Sequence, residues 1–512
     1  MSYLIGLDVG TTSAKTVLID ATGRVVFTTA PAYAFRTPKP SWAESNPADW
    51  WNAVVTALRE LFATTGVKPR EIAGVGLTGQ MHGLVLLDAQ GEVLRPCIMW
   101  NDQRTALQCA ALTKEVGRKR VLELTGNPVL PGFTAPKILW VAEHEPDVFR
   151  RVAKILLPKD YIRYKLSGEF FTDVSDASGM SLLDVAKRKW SAEMLAACKV
   201  KRSWLADVTE SPVASTKVSA AGAKATGLRA GTPIIAGAGD QAAGAVGCGI
   251  VKTGVVSCTL GTSGVVFAHA DKYNPEPQGR LHAFCHAVPG KWHLMGVQLS
   301  SAGSLQWYKN TLGGEEKARE LAGEGNAYDL LTAAAAKAPA GSEGLLFLPY
   351  LSGERTPHPD PNARGVFFGL SLRHTKAHLT RAVLEGVTYG LRDSLELMRG
   401  LGITPTEVVV SGGGARSPLW RQLLADNFET PILTVSTNDG SAYGAALLAG
   451  VGAKVWKTVE DACAAAVKIT GRTAPGRNSL VYRDYYPRFR ALYPKLKDEF
   501  AALAETVARH HG

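Results

Sequence analysis

A glycine-threonine turn between two apolar strands occurs twice in this chain. The first copy surrounds Gly10 and the second surrounds Gly261, so the two lie about half the chain apart. Each copy predicts a β-hairpin whose tip exposes backbone N–H groups and hydroxyls, and such tips bind phosphate oxygens. One hairpin in each half predicts two related domains that face a single nucleotide.

The length of 512 residues exceeds what one hydrophobic core usually organises. We therefore expect an N-terminal domain over 1–248 and a C-terminal domain over 249–512, with the boundary near Cys248, just before the second hairpin. Strand-like and helical segments follow one another in both halves, so the predicted fold class is α/β. A hydrophobic content of 46% and a charged content of 20% are ordinary for a globular enzyme.

Charge and cysteine usage exclude several classes of partner. The formal net charge is +11, which indicates a basic surface over a long chain or, as the alternative, attraction of anionic substrates. The densest basic segment, 114–120, lacks zinc spacing, an aromatic RNA-binding strand and a basic-zipper pattern, so we expect no nucleic-acid partner. Seven cysteines without a C-x-x-C spacing argue against disulfides and zinc and favour the cytoplasm. No apolar run reaches the roughly eighteen residues that a membrane span needs.

Periodicity and turn residues predict the elements that carry the candidate site. Residues 3–30 predict a meander of three strands, and residues 72–78 predict a strand that ends at Gly79. We also expect a strand pair over 84–88 and 93–100, a strand over 407–411, and a last helix over about 485–509.

Asp8 lies just before the Gly10 turn in an otherwise apolar strand, where an uncompensated carboxylate is costly. Facing a nucleotide, it could hold Mg²⁺ against phosphate oxygens, directly or through water. The plainer interpretation is an acid at the end of a strand that caps the adjacent turn. Lys15, on the second strand, either reaches a phosphate or only decorates the strand edge.

Asp240 is the residue that we expect to act in catalysis. It follows a strand that ends in glycines, and it precedes a helix rich in alanine, whose positive end stabilises a carboxylate. An ionised acid in contact with a substrate hydroxyl can accept its proton as the oxygen attacks phosphorus. A simple helix cap is the competing interpretation, and without other observations it is the stronger one.

Further clusters predict the ligand pockets. Gly412, Gly413 and Gly414 follow a valine-rich strand and allow close approach of a flat ligand or a phosphate, although a tight turn would also need glycine. Ser417 reads as the cap of the next helix. Polar side chains beside methionine or tryptophan are typical of a sugar pocket, and they occur in two segments: Gln80, Met81 and His82, and Trp100, Asn101 and Asp102.

The sequence resembles the FGGY carbohydrate kinases of the actin/Hsp70/sugar-kinase superfamily essentially from end to end. Residues 132–143 resemble the first signature of that family, and residues 365–370 with 378–385 resemble the second. The resemblance implies two actin-like, ribonuclease H-like α/β domains with a cleft between them. It also implies that 1–248 binds the sugar and that 249–512 binds the nucleotide.

Within the family, residues 79–83, 100–102, 157–161 and 349–358 resemble members that act on the ketopentose D-xylulose. Glycerol kinases carry an Arg-Glu pair where this chain has Met81-His82. The resemblance implies ATP-dependent phosphorylation of D-xylulose, with Asp240 as general base and Asp8 assisting Mg-ATP. It places Gln241, which is Asn in many pentulose kinases, at the sugar, and it assigns phosphate or nucleotide contacts to Gly10, Thr11, Thr12, Lys15, Gly261, Thr262, Ser263, Gly412, Gly413, Gly414 and Ser417.

Two alternatives stay open at this point. One is a kinase of the same family for another pentulose or a polyol, such as ribulose or a xylitol-like sugar. The other is an actin-like ATPase that binds sugar without transferring phosphate, although a base beside a sugar pocket argues against it. The resemblance further implies a homodimer, for which the sequence identifies no interface.

Overall fold

The computed structural model describes residues 2–436 and 440–511. In chain order, the strands of the N-terminal half are β1 (Tyr3–Val9), β2 (Ala14–Asp20), β3 (Val25–Thr29), β4 (Glu44–Ser45), β5 (Ile72–Gly79), β6 (Val85–Leu87), β7 (Cys97–Ile98), β8 (Lys154–Leu156), β9 (Phe171–Asp173), β10 (Leu183–Asp184), β11 (Lys189–Trp190), β12 (Asp207–Thr209), β13 (Ala214–Lys217) and β14 (Pro233–Gly239). Its helices are α1 (Pro47–Thr65), α2 (Ala106–Val116), α3 (Arg118–Thr125), α4 (Thr134–His144), α5 (Pro146–Arg150), α6 (Pro158–Ser167), α7 (Val174–Ser178), α8 (Ala192–Ala197), α9 (Ala220–Thr226) and α10 (Asp240–Gly247).

The C-terminal half repeats the order of strands followed by helices. Its strands are β15 (Val255–Leu260), β16 (Gly264–Ala270), β17 (His282–Cys285), β18 (Trp292–Gln298), β19 (Leu346–Leu348), β20 (Val366–Phe368), β21 (Glu407–Ser411), β22 (Ile432–Val435) and β23 (Ile469–Thr473). Its helices are α11 (Ala302–Leu312), α12 (Gly314–Leu321), α13 (Ala327–Ala335), α14 (Lys376–Gly400), α15 (Pro418–Phe428), α16 (Gly440–Gly452), α17 (Val459–Ala466), α18 (Ser479–Arg490) and α19 (Leu492–His511).

A mixed sheet forms the centre of each half. The first has the strand order β13-β14-β5-β1-β2-β3, and the second has the order β17-β18-β16-β15-β21-β22-β23. In both, a hairpin pairs antiparallel (β1 with β2, β15 with β16), and its first strand pairs parallel with a later strand (β5 or β21). The two hairpins predicted from the sequence are therefore confirmed as elements of one repeated sheet design.

The first sheet is covered by helices on both faces. Because side chains alternate along β1, its apolar residues pack against both layers. Ile5 and Leu7 pack with Trp50 and other apolar residues of α1. Leu4 points to the opposite face and packs with Ala442 of α16. A strand buried on both sides reads as a continuous apolar run, which is the pattern that the sequence shows around Asp8.

Helix α16 belongs to the C-terminal half of the chain but lies on the sheet of the N-terminal half. A Cβ atom at Gly6 of β1 would stand 1.9 Å from the carbonyl oxygen of Ala442, and one at Gly76 of β5 would stand 1.9 Å from that of Ala445. Both glycines are therefore required for the helix to approach the strands this closely. The two halves are therefore joined by the packing of α16 as well as by the chain connection near Cys248.

Two predicted elements differ from the structure. Among the described residues, the predicted strand pair over 84–88 and 93–100 forms as two isolated antiparallel bridges, Leu87 with Val93 and Leu84 with Ile98, whereas the regular partners of β6 and β7 are β8 and β4. Pro96 lies between the two bridges and cannot donate to a strand ladder, so the pairing is interrupted there. The predicted last helix is two helices, α18 and α19, because Pro494 removes the N–H that would bond to the carbonyl of Arg490.

Within residues 2–436 and 440–511, no helix combines the length and the apolar character that a bilayer crossing requires. All seven cysteines lie in this described part of the chain and none forms a disulfide there.

Candidate active site

The tip of the first hairpin is held by contacts to its carbonyl groups. Gly10 donates its N–H to the carbonyl of Ser13 at 3.0 Å. The hydroxyl of Tyr33 donates to the carbonyls of Gly10 and Ser13 at 2.7 and 2.9 Å. Among the described contacts, none uses the N–H groups of Thr11 and Thr12. These groups stay available to a phosphate oxygen.

The second hairpin has the same turn but is braced by the start of α11. Gly261 donates its N–H to the carbonyl of Ser263 at 3.1 Å. The N–H of Ala302 donates to the carbonyl of Gly261 at 2.9 Å, and that of Ser301 donates to the carbonyl of Thr262 at 2.9 Å. The side chains of Thr262 and Ser263 are exposed at the tip. Both predicted phosphate turns therefore have fixed backbones and accessible hydroxyls.

Asp8 and Asp240 lie at the C-terminal ends of β1 and β14, the two strands that flank β5 in the first sheet. Asp8 is the next-to-last residue of β1, opposite Lys15 of β2. Asp240 directly follows Gly239, which is in register with Gly79 of β5, and β5 runs beside β1. Two strand spacings correspond to about 10 Å between the backbones. The sheet therefore brings the two acids that the sequence singled out to the same place.

Burial raises the pKa of both acids, and the charge of Asp8 raises the pKa of Asp240 further. Burial raises the pKa of Asp8 to about 6, against the opposing charge of Lys15. Burial and the charge of Asp8 raise the pKa of Asp240 to about 7, whereas hydrogen bonds from Gln241 oppose the rise. A carboxylate with a pKa near neutrality can both take up and release a proton at physiological pH.

His82 is held in a left-handed backbone conformation, with φ of 70°. Thr134 and Lys137 donate to its carbonyl at 3.0 and 2.9 Å. Its Nδ1 contacts the carbonyl of Gly179 at 2.6 Å, and its ring stacks on Phe133 with centroids 4.3 Å apart. A non-glycine residue with positive φ is costly unless its surroundings fix it, and such residues are concentrated at functional sites.

The contact to a carbonyl oxygen assigns the protonation of the His82 ring. Nδ1 must carry the hydrogen in order to donate to Gly179, so Nε2 of the neutral ring is an acceptor. Burial lowers the pKa of His82 to about 3, and the charges of Lys137 and Arg355 contribute to the lowering. The ring therefore stays neutral at physiological pH and can accept a hydrogen bond from a sugar hydroxyl.

Unpaired acceptor atoms mark the predicted sugar pocket. Oδ1 of Asp8, Oε1 of Gln80 and Oδ1 of Asn101 are buried and accept no hydrogen bond among the described residues. The amide nitrogen of Gln80 donates to the carbonyl of Gly10 at 3.0 Å, which ties this residue to the first hairpin. Buried acceptors without partners are rare in native proteins, and a bound ligand is one physical reason for them.

Trp100 and Asp102 have different surroundings in the structure. Trp100 is 42% exposed, and its indole N–H donates to the hydroxyl of Thr11 at 3.1 Å. Asp102 is fully buried, accepts from the N–H of Ala43 at 2.7 Å and pairs with Arg104 at 2.6 Å. These contacts use the Asp102 carboxylate to fix the loop, and its direct contact with a sugar stays a prediction.

Met81 connects the His82 region to Asp240. A Cβ atom at Gly239 would lie 2.9 Å from Cγ of Met81, and one at Gly179 would lie 2.9 Å from its Cε. The Met81 side chain therefore packs between the glycine that precedes Asp240 and the glycine whose carbonyl binds His82. Small residues on both sides let this chain lie against the backbone.

One cavity runs from Asp240 into the C-terminal half, and a second cavity adjoins it there. The first has a volume of about 610 Å³, and the second has a volume of about 650 Å³. The first is lined by residues of both halves, including Asp240, Gln241, Ser411, Gly412 and Gly413. The second includes Gly261, Thr262, Gly414, Ser417 and Tyr328. Both contain Gly413 and Arg416, so they meet there, and each has the volume of a small-ligand site.

The three glycines after β21 have separate reasons to be glycine. Gly412 has φ of 86°, and a Cβ there would lie 2.5 Å from the carbonyl oxygen of Leu260. A Cβ at Gly414 would lie 2.9 Å from Cβ of Leu260. Gly413 has no described atom within 4 Å of its Cβ position. Gly412 and Gly414 are required for packing on the second hairpin, whereas the side of Gly413 is open to the cavities. Ser417 caps α15, as the sequence predicts.

The acid pair fits the manner in which proteins hold Mg²⁺ beside a nucleotide. In the described part of the chain, no cluster of three or more His, Cys, Asp or Glu residues could hold a metal ion. Mg²⁺ beside phosphates is commonly held by only one or two carboxylates, together with the phosphates and water. The unpaired Oδ1 of Asp8 offers such a ligand atom.

Several residues that build the site have no predicted role from the sequence. Thr134 and Lys137, which hold His82, lie in the segment that resembles the first family signature, so their pattern was a usable signal. Ser175 accepts from the N–H of Gly239 at 3.1 Å and donates to Asp173 at 2.5 Å. Nothing in the local sequence indicates the contact between Ser175 and Gly239, because these residues are far apart in the chain.

Comparisons with known proteins agree with this architecture. Residues 3–247 match the N-terminal domain model of the FGGY family of carbohydrate kinases, and residues 256–453 match the C-terminal domain model. Xylulose kinase from Escherichia coli (strain K12) is 43% identical over 96% of this chain and 99% of its own length. Gluconokinase from Bacillus subtilis (strain 168) is 31% identical over 98% of each chain. The crystal structure of xylulose kinase from Rhodospirillum rubrum matches with a TM-score of 0.91 at 33% identity, covering 98% of this chain and 100% of that chain.

The chain therefore belongs to the FGGY family of carbohydrate kinases. The predicted α/β fold with two domains is confirmed, as is the prediction that the chain is a kinase. Its substrates are accordingly a small-molecule sugar and ATP.

Proposed function

We propose that this chain transfers the γ-phosphoryl group of ATP to the C5 hydroxyl of D-xylulose, releasing D-xylulose 5-phosphate and ADP. The position of Asp240 carries the proposal: it lies beside Met81, which leads to His82, and in a cavity whose other wall contains Gly412 and Gly413. The identity of 43% to a xylulose kinase over nearly the full length supports the choice of sugar.

In the proposed reaction, Asp240 accepts the proton of the C5 hydroxyl while that oxygen attacks the γ-phosphorus and the bond to the β-phosphate oxygen breaks. The pKa of about 7 suits a base that must release the proton after each turnover. Positioning and charge stabilisation supply most of the acceleration in phosphoryl transfer. Asp240 therefore contributes only part of the rate enhancement.

The sugar is held by acceptors and donors of the N-terminal half. Nε2 of His82, Oε1 of Gln80 and Oδ1 of Asn101 accept from sugar hydroxyls. The exposed face of Trp100 covers the apolar side of the sugar, and Gln241 donates to a hydroxyl beside Asp240. His82, Gln80 and Trp100 are held by hydrogen bonds before the substrate arrives, which reduces the entropy lost on binding.

The nucleotide is held by both hairpins and by the second cavity. The N–H groups of Thr11 and Thr12, with Lys15, bind the terminal phosphates from one side, and the turn from Gly261 to Ser263 binds them from the other. Adenosine occupies the second cavity, against Gly413, Gly414 and Ser417. Asp8 holds Mg²⁺, directly or through water, and the ion when bound offsets phosphate charge.

This arrangement assigns the sugar to 1–248 and the nucleotide to 249–512, with the first hairpin serving both. We further propose that the enzyme works in the cytoplasm, as its reduced cysteines suit, and that it forms a homodimer. Sedimentation velocity of the purified chain tests the dimer.

Release of ADP against a panel of sugars tests the proposed function. The panel contains D-xylulose, D-ribulose, xylitol, D-gluconate and glycerol, each at several concentrations with saturating Mg-ATP. We expect the largest kcat/KM with D-xylulose and little ADP release without sugar. A higher kcat/KM with D-gluconate or D-ribulose would transfer the proposal to that sugar, and sugar-independent ATP hydrolysis as the sole activity would refute it.

A further inference from the structure

Among the described residues, Glu354 is the acid whose charge acts on the guanidinium group of Arg355, against the lowering of its pKa by burial. The Arg355 side chain is half-buried, yet it donates no hydrogen bond and forms no ion pair with residues 2–436 or 440–511. Its neighbour Glu354 is buried and uses Oε1 to accept from the N–H groups of Leu299 and Arg355. Burial raises the pKa of Glu354 to about 8, so it carries no full charge at neutral pH. A desolvated cation without a partner costs folding free energy.

The backbone around Arg355 lies against the wall that carries His82. Thr356 donates its N–H to the carbonyl of Val297 at 3.0 Å, and Val297 donates its N–H to the hydroxyl of Thr356 at 3.1 Å. The side chain of Val297 packs in one cluster with Phe133 and Phe284. His82 stacks on Phe133, so Arg355 comes from the nucleotide-binding half to the edge of the sugar pocket.

The electrostatic neighbours of Arg355 lie on the side of His82. Its charge contributes to the lowered pKa of both His82 and His282. The pKa of Asp240 is instead raised by burial and by Asp8, although a cation close to Asp240 would lower it. The geometry agrees, because Val297 packs with Phe133 and Phe284, which contact the His82 ring, whereas Met81 lies between His82 and the glycine that precedes Asp240. Arg355 is therefore on the His82 side of the pocket.

We propose that Arg355 is a substrate-binding residue that donates hydrogen bonds to the C1 and C2 oxygens of the ketose, across the cleft from His82. This inference rests on the proposed function. With C5 at Asp240, the carbonyl end of an extended ketopentose lies at the remote end of the pocket. There His82 supplies an acceptor and Arg355 supplies several donors in a planar fork. The nucleotide-binding half thereby contributes directly to the choice of sugar.

Replacement of Arg355 by methionine tests the inference, because methionine keeps much of the length and removes the donors and the charge. Loss of hydrogen bonds from a charged donor is worth about 1.5–3 kcal/mol, so we expect the KM for D-xylulose to rise at least about tenfold. The KM for ATP changes less than about twofold. The melting temperature stays the same or rises, because an unpaired buried charge has been removed.

Two further variants separate binding from structure. Arg355→Lys retains the charge without the planar fork, and we expect an intermediate KM for the sugar. Arg373→Met is the matched control, because Arg373 is largely exposed and pairs only with Glu343. It should leave both KM values unchanged. An unchanged sugar KM in Arg355→Met would overturn the inference, as would a lowered melting temperature with equal losses toward sugar and ATP.

A ketopentose that lacks the C1 hydroxyl locates the contact. We expect the wild-type enzyme to show a higher KM for this analogue than for D-xylulose, and Arg355→Met to show nearly equal values. The same discrimination in both proteins would overturn the assignment to the carbonyl end. If the wild-type enzyme prefers another sugar, the proposed function fails, and the KM of Arg355→Met for that preferred sugar still decides whether Arg355 binds substrate.

Discussion

The two phosphate hairpins of this chain have the same backbone and different side chains. Asp8 lies two residues before Gly10, and Thr259 occupies the corresponding position before Gly261. Asp8 has an unpaired, buried oxygen, whereas the hydroxyl of Thr259 is paired with that of Ser411 at 3.1 Å. One hairpin therefore offers a carboxylate to the cleft and the other offers neutral hydroxyl groups.

The contacts that hold the two turns in place also differ. Tyr33 holds the first tip through its hydroxyl, and the backbone of Ser301 and Ala302 holds the second. The repeat thus preserves the backbone of the turn, while the proposed metal-binding acid Asp8 occurs only in the first hairpin. The two turns therefore share a backbone conformation without sharing a charged side chain.

The largest effect should come from Asp240, the acid at the start of α10. Asp240→Asn keeps the shape and removes the base, so we expect kcat to fall at least about a hundredfold with little change in either KM. Steady-state ADP release measures it, with the exposed Asp147→Asn as control. Near-normal turnover would contradict the role of Asp240 as general base.

Exchange at the corresponding positions of the hairpins tests their difference directly. Asp8→Asn should lower activity by about tenfold to a hundredfold, as is typical when a group that supports a metal site is lost. Thr259→Val removes only a neutral hydroxyl bond and should cost less than about tenfold. Titration of activity with Mg²⁺ measures the apparent affinity for the ion. This affinity should fall less in Thr259→Val than in Asp8→Asn. Equal losses would show that the two turns do the same work.

The pH profile reports on the coupling of the two acids. Asp240 must be deprotonated to act, so kcat/KM for the sugar should fall as the pH drops through about 7. Asp8→Asn removes the neighbouring negative charge, which lowers the pKa of Asp240 and moves this acid limb to lower pH. Rates of both proteins between about pH 5 and 9 measure the shift. A limb that stays in place would mean that the acids do not interact.

Substitution of the adjacent glycines that follow β21 should affect different properties, the KM for ATP at Gly413 and the stability at Gly414. The space beside Gly413 is open, so Gly413→Ala should raise the KM for ATP severalfold without changing stability. Gly414→Ala places a methyl group against Leu260 and should lower the free energy of unfolding by about 1–3 kcal/mol. Nucleotide titrations and urea unfolding distinguish the two. A loss of stability in Gly413→Ala would assign that glycine to packing.

The smallest effect should come from Trp100, which joins the sugar pocket to the first hairpin. Trp100→Phe keeps an aromatic face and removes the N–H donated to Thr11. A neutral hydrogen bond is worth about 0.5–1.5 kcal/mol, so kcat/KM should fall by about twofold to tenfold. Thr11→Val in the same background should add little further loss. Additive losses would show that the two side chains act independently.

The sequence was sufficient for the features that depend on local order. The hairpins, the strand over 72–79 and the placement of Asp240 after a glycine-rich strand all follow from residues close together in the chain. The left-handed backbone of His82 could not be predicted, because it is held by Lys137 and by the carbonyl of Gly179 from distant segments. The pairing of β6 with β8 and of β7 with β4 could not be predicted for the same reason. Sheet neighbours depend on which chain segments meet, and local propensity does not encode that.

Helix α16 has a consequence for how the molecule is made. One face of the first sheet, above Gly6 and Gly76, is covered by a segment translated long after it. A nascent chain that ends at Cys248 thus leaves that face exposed to water, and maturation of the N-terminal half must wait until residues 440–452 leave the ribosome. Residues 440–452 are therefore needed to complete the packing of the first half, and a polypeptide that stops before them cannot bury that face of the sheet.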